Sequence, residues 1–110
     1  MKEILIVGGG AAGMFAGIRA AQRGMRVQIF EQNEKLGKKL FITGKGRCNF
    51  TNACTEEELL EHTVTNPKFL YSAYYGCNSW GMIDFFEGIG APAKVERGNR
   101  AFPASDHSSD

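Results

Sequence analysis

The stretch Ile4-Leu5-Ile6-Val7-Gly8-Gly9-Gly10-Ala11-Ala12-Gly13, followed at position 31 by a glutamate, decides how this chain is read. Four consecutive apolar residues predict a strand. Gly8, Gly10 and Gly13 have the G-x-G-x-x-G spacing, and a helix-forming stretch runs from Ala11 to a capping position at Gly24. A second strand, Met25 to Phe30, then ends on Glu31. A glycine triplet alone arises easily in any Gly-rich turn. Strand, triplet, helix, strand and terminal carboxylate in this order predict a βαβ unit that holds the ADP half of a dinucleotide.

Each position has a physical task in that unit. Gly8 permits the sharp turn out of the first strand. Gly10 leaves room for a pyrophosphate to approach the main chain, and Gly13 lets the helix lie close to the strands. A helix that begins near Ala11 leaves its first N–H groups, those of Ala11 and Ala12 among them, without intrahelical partners, facing the phosphates. Ala12, Ala16 and Ala20 recur every four residues and predict the narrow edge that lies on the sheet, with Phe15 and Ile18 adding bulk beside it. Glu31 is placed to accept hydrogen bonds from both hydroxyls of an adenosine ribose. It would repel a 2′-phosphate, which disfavours NADP as the ligand of this unit.

The chain has 110 residues, 43% hydrophobic and 23% charged, the composition of an ordinary globular domain. A formal net charge of +1 supplies no global attraction for nucleic acid. No apolar run approaches the roughly 18 residues of a membrane span, and no signal peptide is expected at an N-terminus that enters a strand at once. Three cysteines without repeating spacing suggest reduced thiols in a cytoplasm.

Beyond Glu31, Asn33 to Lys39 reads as a basic loop, and Leu40-Phe41-Ile42 as a short apolar run. Thr55 followed by Glu56-Glu57-Glu58 has capping-box spacing and predicts a helix to about His62. Asn66-Pro67 predicts a helix opening that Gly76 ends, and a further helix is expected from Ser79 to Glu87. Lys94-Val95-Glu96 and Arg100-Ala101-Phe102 flank Arg97-Gly98-Asn99 as a hairpin. The fold class expected is therefore α/β: a Rossmann-like βαβ unit (1–31), a Gly-rich basic loop (35–49), short helices (55–88) and a hairpin (93–103). A doubly wound sheet usually has five or six strands, so the chain reads as the front of a longer protein.

The stretch Leu36 to Asn52, with Gly37-Lys38-Lys39 and Thr43-Gly44-Lys45-Gly46-Arg47-Cys48-Asn49, resembles bacterial NAD(P)/FAD-dependent oxidoreductases of the BaiN/RdsA-like, or HI0933-like, flavoprotein family. Asn66 to Leu70, Phe85-Phe86 and Gly98 to Asp106 extend the resemblance over essentially the whole chain. The resemblance implies FAD held in an extended pose. Gly8, Gly10 and Gly13 would meet the pyrophosphate, and Glu31 the adenosine ribose. Gln32 and the loop Gly37 to Lys39 would lie along the adenine–ribose side. Thr43, Gly44, Gly46, Arg47, Cys48 and Asn49 would pass near the pyrophosphate, the ribityl chain or the flavin. It also admits NAD(P)H as electron donor, and either a steroid-like small molecule or ribosomal RNA as substrate, by reduction of a carbon–carbon double bond. The family's later strands, substrate domain and C-terminal return are missing here, so the fold is incomplete and no catalytic residue is singled out.

From the residues alone, Gly44 and Gly46 let main-chain N–H groups converge on an anion, and Lys45 and Arg47 add charge. With Lys35, Lys38 and Lys39 they form a basic patch; its plain alternative is a solvated loop. Arg47 suits a bidentate phosphate contact or a bond to a ring carbonyl. Cys48, beside Arg47, reads either as a thiol of lowered pKa or, with more weight, as a small buried residue. A metal site from Cys48, Cys54, His62 and Cys77 lacks ligand-pair spacing, and none is expected. The aromatic group Phe69 to Phe86 reads as helix-packing surface, with base stacking as its alternative. Two further readings stay open: a dinucleotide-binding module without turnover, and an RNA-contacting role for Lys35 to Arg47.

Overall fold

The computed structural model describes residues 1–110 and begins with the βαβ unit. Strands β1 (Glu3–Val7) and β2 (Arg26–Phe30) pair in parallel, Glu3 opposite Arg26 through Val7 opposite Phe30. Helix α1 (Ala11–Gln22) makes the crossover between them. Strand alternation puts Ile4, Ile6, Val27 and Ile29 on a half-buried face. Leu5, Val7 and Phe30 are more than half exposed.

The edge of α1 that meets the sheet is Gly13 and Gly17, not the expected row Ala12, Ala16 and Ala20. A methyl built on Gly17 would sit 3.3 Å from Ile29 Cδ1 and 3.4 Å from Val27 Cγ1. Gly17 is the buried residue of the helix, whereas Ala12 and Ala16 are exposed. The helix approaches so closely that residues without a Cβ take the contact line. The alanine row lies one residue away, about 100° around the helix.

The basic loop is shorter than its composition suggests. Residues Lys38–Ile42 form a helical turn, α2, whose Phe41 N–H donates to Gly37 O at 2.9 Å. Gly37, left-handed at φ +69°, donates in turn to Gly9 O at 2.8 Å. Leu40-Phe41-Ile42 therefore winds rather than extends.

Met1–Ile42 and Thr43–Asp110 are two compact units. The second contains a three-stranded antiparallel sheet in the order β3 (Thr51–Asn52), β5 (Arg100–Pro103), β4 (Ala93–Glu96). The hairpin pairs Lys94 with Phe102 and Glu96 with Arg100. Strand β3, two residues long, carries no alternation that a sequence could show.

Helix α3 (Glu56–Glu61) starts where the capping box places it, with Thr55 Oγ1 accepting from Glu58 N–H at 3.2 Å. The Asn66-Pro67 opening differs from expectation. It leads into a 3-10 helix, Pro67–Leu70, before α4 (Tyr71–Gly76), and Asn66 is left-handed without a side-chain cap. Helix α5 (Ser79–Gly88) is capped by Asn78, whose Oδ1 accepts from Gly81 N–H at 2.7 Å. The same amide donates to Glu56 Oε1 at 2.7 Å and so ties α5 to α3. Ile83, Ala101, Phe102 and Cys48 form the buried apolar core of this unit. No helix is long and apolar enough to cross a membrane.

Candidate functional site

In the first unit the turn between β1 and α1 is built from contacts that tolerate no side chain at one glycine and leave space at another. A Cβ on Gly13 would lie 1.9 Å from Gly8 O, so the start of the helix is seated directly on the turn. A Cβ on Gly10 would meet no protein atom within 4 Å. Gly10 is the N-cap of α1, extended at φ −82° and ψ −170°, and no side chain caps the helix. The first N–H groups of α1 thus take no side-chain cap and carry the positive end of the helix dipole, the environment an anionic phosphate requires.

Glu31 closes the other side. Its Oε1 accepts from Gly9 N–H at 2.9 Å and its Oε2 from Asn33 N–H at 2.7 Å. These two N–H donors, Asn33 first, hold the carboxyl below its usual range. An ionised carboxylate offers about four acceptor positions, so two protein donors leave capacity for ribose hydroxyls. Leu36 packs over Gly9, its Cδ2 only 2.3 Å from where a Cβ would be built. An open cavity of about 550 Å³ follows, lined by residues 33–36 with Lys38, Phe41 and Ile42. Gln32 and Lys39 are both exposed nearby in sequence, and Lys39 does not line this cavity. Asn33 carries no motif that would have marked it, and Leu36, though it opens the stretch that resembles the family, has no chemistry that points to a site.

In the second unit Thr43–Gly46 forms a left-handed turn. Gly44, Lys45 and Gly46 have φ of +56°, +56° and +86°, and Cys48 follows at +61°. Cys48 N–H closes the turn onto Thr43 O at 3.0 Å, and Arg47 N–H onto Gly44 O at 3.1 Å. A Cβ on Gly44 would lie 2.7 Å from Asn49 N. The Asn49 amide, with its nitrogen toward the sheet, donates to Thr51 O at 3.1 Å and Ala101 O at 3.2 Å.

The Arg47 guanidinium meets two protein carboxylates through its Nε and Nη2. It donates to Asp106 Oδ1 (2.8 Å from Nε) and Glu96 Oε2 (2.5 Å from Nη2), with its carbon 4.0 Å from the centre of the Phe102 ring. Lys94 Nζ bonds Asp106 Oδ2 at 2.5 Å and lies 3.3 Å from Glu96 Oε2. Positive and negative groups alternate around this square. Glu96 and Asp106 hold the Arg47 pKa above its ordinary value, while Lys94 and Arg47 hold Asp106 below its own. Arg47 thereby spends its Nε and Nη2 donors on protein carboxylates, while Nη1 takes no part in these bonds. Of the expected basic residues, Lys35, Lys38 and Lys39 belong to the first unit, and Lys45 and Arg47 to the second. Glu96 and Asp106 lie 49 and 59 residues from Arg47, too far for any local spacing to reveal.

Cys48 is 7% exposed and packed in the core. Burial, with the charge of Glu58, pushes the Cys54 thiol up, away from thiolate chemistry.

A model of the family described as HI0933-like protein Rossmann domain matches residues 2–110. The chain is 40% identical over 82 residues to the ribosomal RNA dihydrouridine synthase of Escherichia coli, covering 74% of this chain and 20% of that protein. It is 36% identical over 108 residues to the 3-dehydro-bile acid delta(4,6)-reductase of Clostridium scindens, covering 96% and 26%. The ribosomal RNA dihydrouridine synthase of Haemophilus influenzae is 37% identical over 82 residues, 74% of this chain and 20% of that protein. The chain therefore spans about a fifth to a quarter of the length of these relatives.

Proposed function

The chain belongs to the HI0933-like Rossmann-domain family, and we propose that it supplies the FAD-binding segment of a flavin-dependent oxidoreductase. The observation that carries this reading is the open space at Gly10 in front of an uncapped helix start, with the Glu31 carboxylate at the end of the neighbouring strand. A pyrophosphate fits the first and a ribose diol the second. In this reading Gly8, Gly10, Ala11, Ala12 and Gly13 hold the pyrophosphate, Glu31 the ribose, and Gln32 and Lys39 the adenine–ribose side. In the second unit the reading assigns cofactor contact to Thr43, Gly44, Gly46, Cys48 and Asn49.

FAD, when bound, would supply two-electron redox chemistry through its isoalloxazine ring. The residues of this chain bind and orient; none is assigned a proton-transfer or nucleophilic role. NAD(P)H is the electron donor we propose, and reduction of a carbon–carbon double bond the reaction, on the strength of relatives named as a dihydrouridine synthase and a delta(4,6)-reductase. Ribosomal RNA enters as a substrate only through those relatives, because Arg47 is paired and adds nothing to a phosphate-binding stripe. The free cysteines suit a reducing cytoplasm.

The test is an absorbance spectrum of the purified chain, followed by heat release, ligand identification and titration with FAD. Bands near roughly 370 and 450 nm with FAD in the supernatant support the reading. A chain that binds neither FAD nor ADP overturns it. Binding without flavin reduction by NAD(P)H selects the module without turnover.

A further inference from the structure

We propose that Arg47 is a positioning residue: with Lys94, Glu96 and Asp106 it forms a charge clasp that holds the left-handed Thr43–Cys48 turn in place and keeps Cys48 sealed. The link from this turn to cofactor binding rests on the reading above; the clasp itself does not.

Three observations converge on this role. The first is what the turn demands. Lys45 and Cys48 both adopt left-handed backbone conformations that disfavour residues with a Cβ, so the segment needs restraint from outside itself. Arg47 sits between them.

The second is the strength of the anchoring. Arg47 reaches two carboxylates from separate places, Glu96 on β4 and Asp106 beyond β5, and sits with its guanidinium carbon 4.0 Å from the ring centre of Phe102, a buried residue opposite Lys94 in the hairpin. Lys94 and Glu96, two residues apart on one strand, share a face. Lys94 bridges the same two carboxylates, so each negative group meets two positive ones. A planar guanidinium can do this while stacking on a ring; a free lysine at position 47 could not.

The third is a backbone tie at the same place. Ser108 N–H donates to Gly46 O at 2.8 Å, so residues 106–108 hold the turn through side chain and main chain together.

Direct contact between Arg47 and an anionic cofactor predicts the opposite response to one manipulation. Replacing Glu96 and Asp106 by Gln and Asn removes two negative charges and frees the guanidinium. If Arg47 bound the cofactor, E96Q/D106N would bind FAD more tightly. If Arg47 positions the turn, the same variant binds FAD more weakly.

The experiment uses the 110-residue chain, its E96Q/D106N, R47M and R47K variants, and the combined R47M/E96Q/D106N chain, all well below their unfolding transitions. Iodoacetamide alkylation at each cysteine is followed by peptide mass spectrometry, and FAD affinity by titration. The clasp predicts that R47M and E96Q/D106N each speed Cys48 alkylation by about tenfold or more through local opening. Cys54 and Cys77 keep their wild-type rates, and the combined variant is no faster than either. R47K rescues only partly. FAD affinity falls alike in R47M and E96Q/D106N.

Unchanged Cys48 alkylation overturns the clasp, as does acceleration of all three cysteines together, which would make the cluster a general stabiliser. Tighter FAD binding by E96Q/D106N, or unchanged binding with Cys48 opened, overturns the positioning role. If the wild-type chain takes no FAD, the cofactor reading fails by itself, and alkylation still decides the clasp.

Discussion

Glu31 Oε1 accepts the Gly9 N–H at 2.9 Å, so the carboxylate that ends β2 is bonded into the glycine turn that ends β1. A residue expected to meet a ribose is already part of the architecture of the turn. Its second oxygen holds Asn33 N–H, which sets the chain's exit from β2. Binding and shape are therefore coupled at one side chain.

Replacing Glu31 by Ala removes both bonds and is expected to weaken FAD binding by about tenfold or more, read by titration calorimetry. The pKa of this carboxyl is depressed by the N–H groups of Asn33 and Gly9. Its contribution is thus present above the ordinary carboxylate range and lost as pH falls through the depressed value. Wild-type affinity should stay flat from neutral pH down to about 5 and decline only in stronger acid. The same carboxylate should make 2′,5′-ADP a weaker competitor than 5′-AMP, from which it differs only by the 2′-phosphate, by about tenfold, a preference that Glu31→Ala abolishes.

Two glycines three residues apart should fail in different ways. Gly10→Val adds its side chain to open space, so thermal unfolding stays near wild type while FAD binding is lost. Gly13→Ala drives a methyl to 1.9 Å from Gly8 O and should cost about 3 kcal/mol or more of stability. Melting curves beside FAD titrations separate the two. Normal FAD binding by Gly10→Val would overturn the assignment of the turn.

The helix caps of the second unit should rank by how sheltered their bonds are, exposed at Thr55 and part-buried at Asn78. Thr55→Ala removes the N-cap bond from Glu58 N–H and the 3.3 Å bond to Glu58 Oε1, and is expected to cost about 1 kcal/mol in denaturant unfolding. Asn78→Ala loses its cap and its bond to Glu56, and should cost more.

Acid should loosen the second unit at its charge square. The Asp106 and Glu96 carboxyls are held below their ordinary values, by Lys94 and Arg47 for the first and chiefly by Arg47 for the second. Their stabilisation is present above the unfolded-state pKa values and disappears as pH falls through the depressed ones. Arg47 and Lys94, with raised values, lose theirs only as pH climbs beyond the ordinary lysine range. Cys48 alkylation should therefore be slow from about pH 6 to 9 once corrected for intrinsic thiol reactivity. In E96Q/D106N this acid-dependent opening should be absent.

The parts of the fold legible in the sequence are those specified by neighbours along the chain. The βαβ unit, the Thr55 cap and the hairpin about Gly98 are each written within a few residues of one another. What escaped depends on residues distant in sequence. The face α1 turns to the sheet differs from the expected alanine row because small residues occur on two sides of that helix, and only the Ile6, Val27 and Ile29 side chains choose between them. The winding of Lys38–Ile42 follows from Gly37 being tied to Gly9. The sequence around Arg47 shows Gly46 and Lys45 as its neighbours; the carboxylates it also meets come from β4 and from residue 106. A local basic motif says that a positive charge is present, not whether it is already neutralised.

The contrast between Gly13 and Gly10 has a historical reading. Gly13 answers to the turn it rests on, so a descendant that no longer carried a nucleotide would still need glycine there to fold. Gly10 answers to nothing in the protein, and drift would reach it first once its ligand was lost. Among descendants of this chain, a side chain at position 10 beside an intact glycine at 13 would mark a lineage that kept the scaffold after abandoning the cofactor.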